Sequence, residues 1–232
     1  MDPANSKEHS GTIERASPGA AAEEQWIVVG RWQEYAGEVR ANLLRIAGVG
    51  GFYLIELLNY YGLHLGPLDL PASVELEFHQ TMTAIVVAWT MMSLATLLCL
   101  QLRIFPAWLK YATTLGDVIL LTATLMIADG PRSPLTVGYF LIIVLSGLRF
   151  QLPLVWCATA SSMLGYLCVA WAAIVPGTLA DRRLAVPGYY QLIMLLALAL
   201  AGVVLGQIVR RVRAMAVDLL RRVETHAGRP QP

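Results

Sequence analysis

The chain has 232 residues, of which 56% are hydrophobic and only 14% charged, with a formal net charge of +1. That is too much apolar surface for a soluble domain of this size, so the bilayer has to act as solvent. The net charge itself says little, but its distribution along the chain is informative.

Residues 1–24 are rich in Ala, Ser, Glu, Gly and Pro and, after Met1, hold no large apolar residue besides Ile13. Such a segment cannot bury enough surface to order itself, which predicts a disordered tail. It also lacks the basic flank, apolar core and small-residue cleavage site of a signal peptide. In 25–40 the pattern changes: Trp26, Ile27, Trp32, Tyr35 and Val39 interleave with Arg31, Gln33, Glu34 and Glu38. This is the pattern of an amphipathic helix lying in the headgroup region, either as an anchor or as an elbow that steers the first span.

Six apolar stretches follow within a membrane domain over 41–209: 42–63, 81–102, 108–128, 134–150, 154–175 and 189–209. A hydrocarbon core about 30 Å thick needs about 20 helical residues to cross it, and the fourth stretch is the shortest. Strict two-residue alternation is absent, so the spans are expected to be helices and the fold an all-α, six-helix bundle. Pro106, Pro131, Pro134 and Pro153 fall in the breaks, where a missing amide hydrogen costs a helix nothing.

Lys and Arg near span ends set orientation. Placing both termini in the cytoplasm puts Lys7, Arg15, Arg31, Arg40, Arg45, Arg103, Lys110, Arg149 and the arginines of the tail inside, and only Arg132, Arg182 and Arg183 outside. The first outer loop, with Asp69, Glu75 and Glu77 and no Lys or Arg, agrees with that orientation. Cys99, Cys157 and Cys168 all fall in spans, where a thiol acts as a small apolar side chain.

Ionisable residues at membrane depth are costly and face the bundle interior, which makes Glu56 and Asp117 the candidates for ligand or proton sensing. Counting along the helices puts Asp117 near mid-depth and Glu56 nearer the outer face. Glu56, Asn59, Tyr60, Tyr61 and His64 form a polar stripe that either receives a ligand or locks the bundle by interhelical hydrogen bonds. Asp117, set among Thr113, Thr114, Thr122 and Thr124, poses the same choice. His64 and His79 bracket the first outer loop, but a haem carrier places its axial histidines inside the spans, so neither a metal site nor a cofactor is expected. The loop Gly130, Pro131, Arg132, Ser133 has the composition of a tight hairpin turn and offers, as its other reading, an anion site.

Phosphate loops, His-Glu-x-x-His zinc patterns and Gly-x-Ser-x-Gly elbows are missing from the sequence, and no enzyme is expected. Gly202 and Gly206 have the spacing that lets membrane helices pack closely. Leu205, Ile208, Val212, Met215 and Leu219 then recur at alternating three and four, as a coiled-coil seam does. A dimer through 202–222 follows, its helix leaving the membrane as a cytoplasmic extension over 210–224 before a short disordered tail at 225–232. The other reading of this extension is an amphipathic helix on the inner leaflet, whose anionic lipids, rather than nucleic acid, explain its arginines.

The run Asp129-Gly-Pro-Arg-Ser-Pro-Leu135, with Tyr139-Phe140 and Leu148-Arg149-Phe150, resembles the six-helix membrane anchors that precede the catalytic domains of bacterial class III adenylate cyclases and sensor histidine kinases. So do the span carrying Thr114-Leu-Gly-Asp117 and the ending Gly202-Val-Val-Leu-Gly-Gln-Ile-Val-Arg-Arg-Val-Arg213. The resemblance covers about residues 40–222. It implies a sensor in the bacterial cytoplasmic membrane, dimeric through its last helix, that relays a stimulus to an attached enzyme. With Pro232 only a few residues beyond Glu224, the expected partner is a separate cytoplasmic effector such as a cyclase or kinase. The alternative is a small proton- or cation-coupled transporter or channel using Glu56 and Asp117.

Overall fold

The computed structural model describes residues 18–65, 68–70, 75–102, 106, 108–175 and 186–227, with no side chains described for 18–34, 63–70 and 219–227. Two units divide the chain, Met1–Ala36 and Gly37–Pro232. The first contributes the helical backbone of 18–36; the membrane helices belong to the second.

Helix α1 runs unbroken over Pro18–Tyr61. Its helical backbone begins inside the segment 1–24 and passes without interruption through 25–40 into the first span at 42–63, while residues 1–17 lie outside the described residues. Ala20 to Gln25 is a run of strong helix formers, and a helix already nucleated downstream extends through them at little cost. The side chains of Trp26, Ile27 and Trp32 lie outside the described residues. A hairpin of two three-residue strands, β1 (Leu63–Leu65) and β2 (Leu68–Leu70), pairs His64 with Asp69 and leads toward α2, Leu76–Gln101. Then come α3 (Leu109–Ile127), α4 (Gly138–Gly147), α5 (Leu152–Ala172) and α6 (Gly188–Ala227).

Five of these helices, α1 over 35–61, α2, α3, α5 and α6 over 188–218, are long and apolar enough to cross a membrane. Over the described residues the chain is therefore an all-helical, multi-pass membrane protein apart from a short hairpin. The fourth stretch does not form a sixth long helix. Its helix, α4, has ten residues and is about 15 Å long, half of what a crossing needs. The preceding residues form 3-10 turns, Gly130–Arg132 and Pro134–Val137. Two prolines and a glycine at φ +58° prevent α-helix there. Irregular backbone is tolerated at membrane depth only when protein surrounds it, and Gly130, Pro131 and Ser133 are buried. The turns satisfy themselves: Ser133 N–H donates to the Gly130 carbonyl, and the Leu135 N–H to Ser133 Oγ.

Hydroxyls along the long helices are mostly spent on their own backbone. Thr90, Thr96, Thr114, Thr122, Thr124 and Thr159 each donate to the carbonyl four residues back, which lets a polar side chain sit in an apolar surround without a distant partner. The core gathers where α3, α4, α5 and α6 meet, around Leu125, Tyr139, Ile143, Ala158, Val169 and Leu198. Tyr139 is fully buried, its hydroxyl 2.9 Å from Thr122 Oγ1.

The contacts also fix the sense of each helix. Arg149, just past α4, reaches Lys110 at the start of α3, while Gly138 at the start of α4 packs on Leu121. The segment after α3 therefore runs back toward the end from which α3 came. Glu38 meets Arg149 at that same end, here called the Lys110 end, and Glu56 meets His79 near the opposite, Tyr61 end. Along α6, Gly202 meets Thr159 and Gly206 meets Leu152, so α6 runs antiparallel to α5 and arrives at the Lys110 end near Val209. It continues as helix to Ala227, about 27 Å further.

Candidate functional site

Helix α1 touches the bundle closely near Gly37, where an added Cβ would lie 3.3 Å from the Leu148 carbonyl oxygen. Further along, it is joined to its neighbours through polar side chains on one face. Glu38, Asn42 and Arg45, spaced by four and three residues, point inward and are buried. Arg45 grips Asp117 on α3 with both arms of its fork: Nε and Nη2 donate to Oδ2 at 3.0 and 2.7 Å, and Nε also lies 2.7 Å from Oδ1. Nη1 donates to Asn42 Oδ1, whose amide nitrogen in turn donates to the Ser93 carbonyl on α2. Trp89 of α2 donates its indole N–H to Asp117 Oδ1 at 2.8 Å. Arg45 and Asp117 are 3% and 4% exposed, so their charges are compensated by each other and not by water.

A second pair closes the Lys110 end. Arg149 Nη2 lies 2.9 Å from Glu38 Oε2, and its two terminal nitrogens donate to Thr113 Oγ1, Thr114 Oγ1 and the Lys110 carbonyl. Its Nε finds no partner among the described residues. The following residue, Phe150, has φ +50°. For a bulky side chain this is a strained conformation, held by the surrounding contacts.

At the Tyr61 end of α1, His79 Nδ1 lies 2.9 Å from Glu56 Oε1, and the His79 ring stacks on Tyr60 with centroids 4.0 Å apart. Tyr53 and Thr83 share a hydrogen bond one turn away. Glu56 Oε2 is buried and has no hydrogen-bond partner among the described residues. Between the two polar clusters, about 16 Å apart along α1, lies a cavity of about 390 Å³, within the size range of small-molecule sites. Val49, Phe52, Met82, Leu121, Leu141, Ile142 and Leu145 give it apolar walls; Arg45, Asp117 and Trp89 form one end, and Glu56, Asn59, Asp129 and Ser133 lie toward the other.

The two acids singled out by sequence thus flank one cavity without touching each other, and they differ in kind. Asp117 has both oxygens occupied by donors, whereas Glu56 has one oxygen free among the described residues. Tyr60 stacks on His79 and does not line the cavity; Asn59 does. Of the loop Gly130, Pro131, Arg132, Ser133, only Ser133 lines the cavity; Gly130, Pro131 and Ser133 are buried and Arg132 is exposed. The pairing of His64 with His79 for a metal does not appear among the described side chains: His79 is engaged by Glu56 and Tyr60, and the His64 side chain lies outside them. No group of three or more His, Cys, Asp or Glu residues suited to a metal ion occurs among the described residues.

Part of the expected dimer face packs within the chain. Gly202 and Gly206 are buried against α5, the first on Thr159 and the second near Leu152 and Trp156. The close-packing spacing serves a contact within the chain. Ile208, Val212 and Met215 remain exposed along one face of α6, and the side chain of Leu219 lies outside the described residues.

Sequence reading passed over Glu38, Asn42, Arg45, Trp89 and Arg149. The four, three spacing of the first three was the available signal, but arginines near span ends were counted as orientation marks. Fold and site together define a polytopic helical membrane protein with a ligand-sized cavity closed by buried ion pairs. No family model matches the sequence, and no curated protein or solved structure matches it either.

Proposed function

We propose that this chain is a non-enzymatic membrane sensor in which the cavity between α1, α2, α3 and α4 receives a ligand, and α6 carries the response out of the bilayer to a separate cytoplasmic effector. The observation that carries this reading is the position of α4. Leu141, Ile142 and Leu145 line the cavity, while Gly147 of the same helix lies against Leu205 of α6. A short helix bounded by 3-10 turns on one side and the strained Phe150 on the other can shift as a unit. Filling the cavity would push on α4, and α4 on α6.

The Lys110 end faces the cytoplasm in this reading, since Arg40, Lys110, Arg210, Arg211 and Arg213 gather there. The segment 130–150 then makes a sixth crossing, half of it as 3-10 turns, of which the first is buried at Gly130 and Pro131. Dimerisation uses Ile208, Val212 and Met215 beyond the packed part of α6, not the glycines. The transporter alternative is less well supported, because Asp117 has no oxygen open to a passing proton or cation.

Disulfide trapping tests the output side. In a chain with Cys99, Cys157 and Cys168 replaced by Ala, Met215→Cys in native membranes is expected to form a dimer under mild oxidation, and Leu192→Cys, exposed on the membrane part of α6, is not. Equal trapping at both positions, or none at Met215, would refute the proposed interface.

A further inference from the structure

The polar features of the cavity are unequal, and the inequality specifies a ligand. At the Arg45 end every nitrogen of Arg45 and both oxygens of Asp117 already have partners. The charges there balance each other, and no polar atom of either side chain lacks a partner. At the other end Glu56 keeps one carboxylate oxygen buried and unpartnered among the described residues, while His79 engages the other. A buried carboxylate oxygen without a donor is costly, and a cationic donor offsets that cost best. Phe52 lines the same stretch of α1 and is an aromatic side chain of the kind that attracts cations. Asp129, also on the cavity wall, adds a second negative group and disfavours an anion.

The mouth supplies the remaining constraint. Phe52 and Ile55 of α1 and Leu141 of α4 line the cavity and are also exposed, so its opening is apolar and faces the hydrocarbon. A ligand that enters there arrives dissolved in the membrane.

We infer that the cavity binds a single-headed lipophilic amine, with its ammonium on Glu56 Oε2 and its apolar body lying along Val49, Met82, Leu121 and Ile142 toward Arg45. This rests on the reading of the cavity as a ligand site and names the ligand's chemistry. Neither the apolar walls nor Glu56 alone would select it: the walls accept any hydrocarbon, and the free oxygen chooses the head.

The test is titration of the full chain in detergent with n-decylamine, n-decanol and decanoate at neutral pH, read by native mass spectrometry. One decylamine per chain is expected, with decanol at least roughly 10-fold weaker and decanoate unbound. Glu56→Gln should weaken decylamine by roughly 10- to 100-fold, the range of one charge-assisted hydrogen bond, and leave decanol unchanged. Should that variant fail to fold, Glu56→Asp, which withdraws the carboxylate by one methylene, should also weaken decylamine selectively. Val49→Trp, which fills the cavity, should remove both ligands. Equal binding of amine and alcohol, indifferent to Glu56→Gln or Glu56→Asp but lost in Val49→Trp, would overturn the amine and keep the ligand site. Binding of neither, or binding indifferent to Val49→Trp, would overturn both.

Discussion

Asp117→Asn isolates what the Arg45 latch contributes. The substitution keeps shape and volume but removes the charge, leaving the Arg45 guanidinium buried at 3% exposure without a counter-ion. Two charge-assisted bonds, at 3.0 and 2.7 Å, lose their anionic acceptor, and whichever way the amide is turned its NH₂ group faces a donor, either the guanidinium or the Trp89 indole N–H. At about 1.5–3 kcal/mol for each such bond, the loss is about 3–5 kcal/mol, which is also the usual cost of removing one partner from a buried ion pair. Taken over from soluble chains of this size, that is a fall in Tm of roughly 6–20 °C. Replacing both partners, as Arg45→Met with Asp117→Leu, should recover most of the loss, since apolar pairs of similar volume often match a buried ion pair. The assay is thermal unfolding of the purified single and double variants in one detergent. A single variant within about 1 kcal/mol of the parent, or a double variant no better than the single, would refute the latch.

Glu56→Gln is expected to leave Tm unchanged or raised, because it removes a buried charge whose Oε2 has no partner among the described residues; a fall comparable to Asp117→Asn in the same thermal assay would mean that Glu56 is structural. Gly202→Leu should destabilise the single chain by about 1–3 kcal/mol, because its side chain would run into Thr159 on α5; unchanged Tm with lost dimer would restore the glycine interface. Val212→Asp should do the reverse, reducing the dimer seen by analytical ultracentrifugation while the Tm of the monomer holds, since Val212 is exposed. Glu38→Gln strips the carboxylate from Arg149 and should lower stability by about 3 kcal/mol or more, with no further loss in the thermal assay when combined with Arg149→Met.

The long helices were legible because bilayer thickness imposes a length on each apolar stretch, and α2, α3 and α5 begin and end within a few residues of the expected spans. The fourth differs because hydropathy cannot tell a full helix from a short one fed by 3-10 turns; Gly130, Pro131 and Pro134 read as a hairpin turn and instead carry the chain through two 3-10 turns, the first of them buried. Glu56 and Asp117 could be picked because charge at membrane depth is rare, but their different fates depend on Arg45, His79 and Trp89, which come from other helices. Arg45 and Arg149 were hidden in plain view: basic residues at span ends mark the cytoplasmic side in general, and only the packed structure separates those that face lipid headgroups from those turned inward. Gly202 and Gly206 were ambiguous for a similar reason, since close helix packing has one sequence signature whether its partner is α5 or a second copy.

The claim that cavity and extension are one device is tested most directly by a distance. Spin labels at Leu115→Cys on α3 and Met215→Cys on α6, both exposed, in a chain with its native cysteines replaced, report how the extension sits relative to the bundle. Pulsed electron paramagnetic resonance should give a different distance distribution when Val49→Trp permanently fills the cavity than when it is empty. Identical distributions in the two chains would contradict the coupling of cavity to extension.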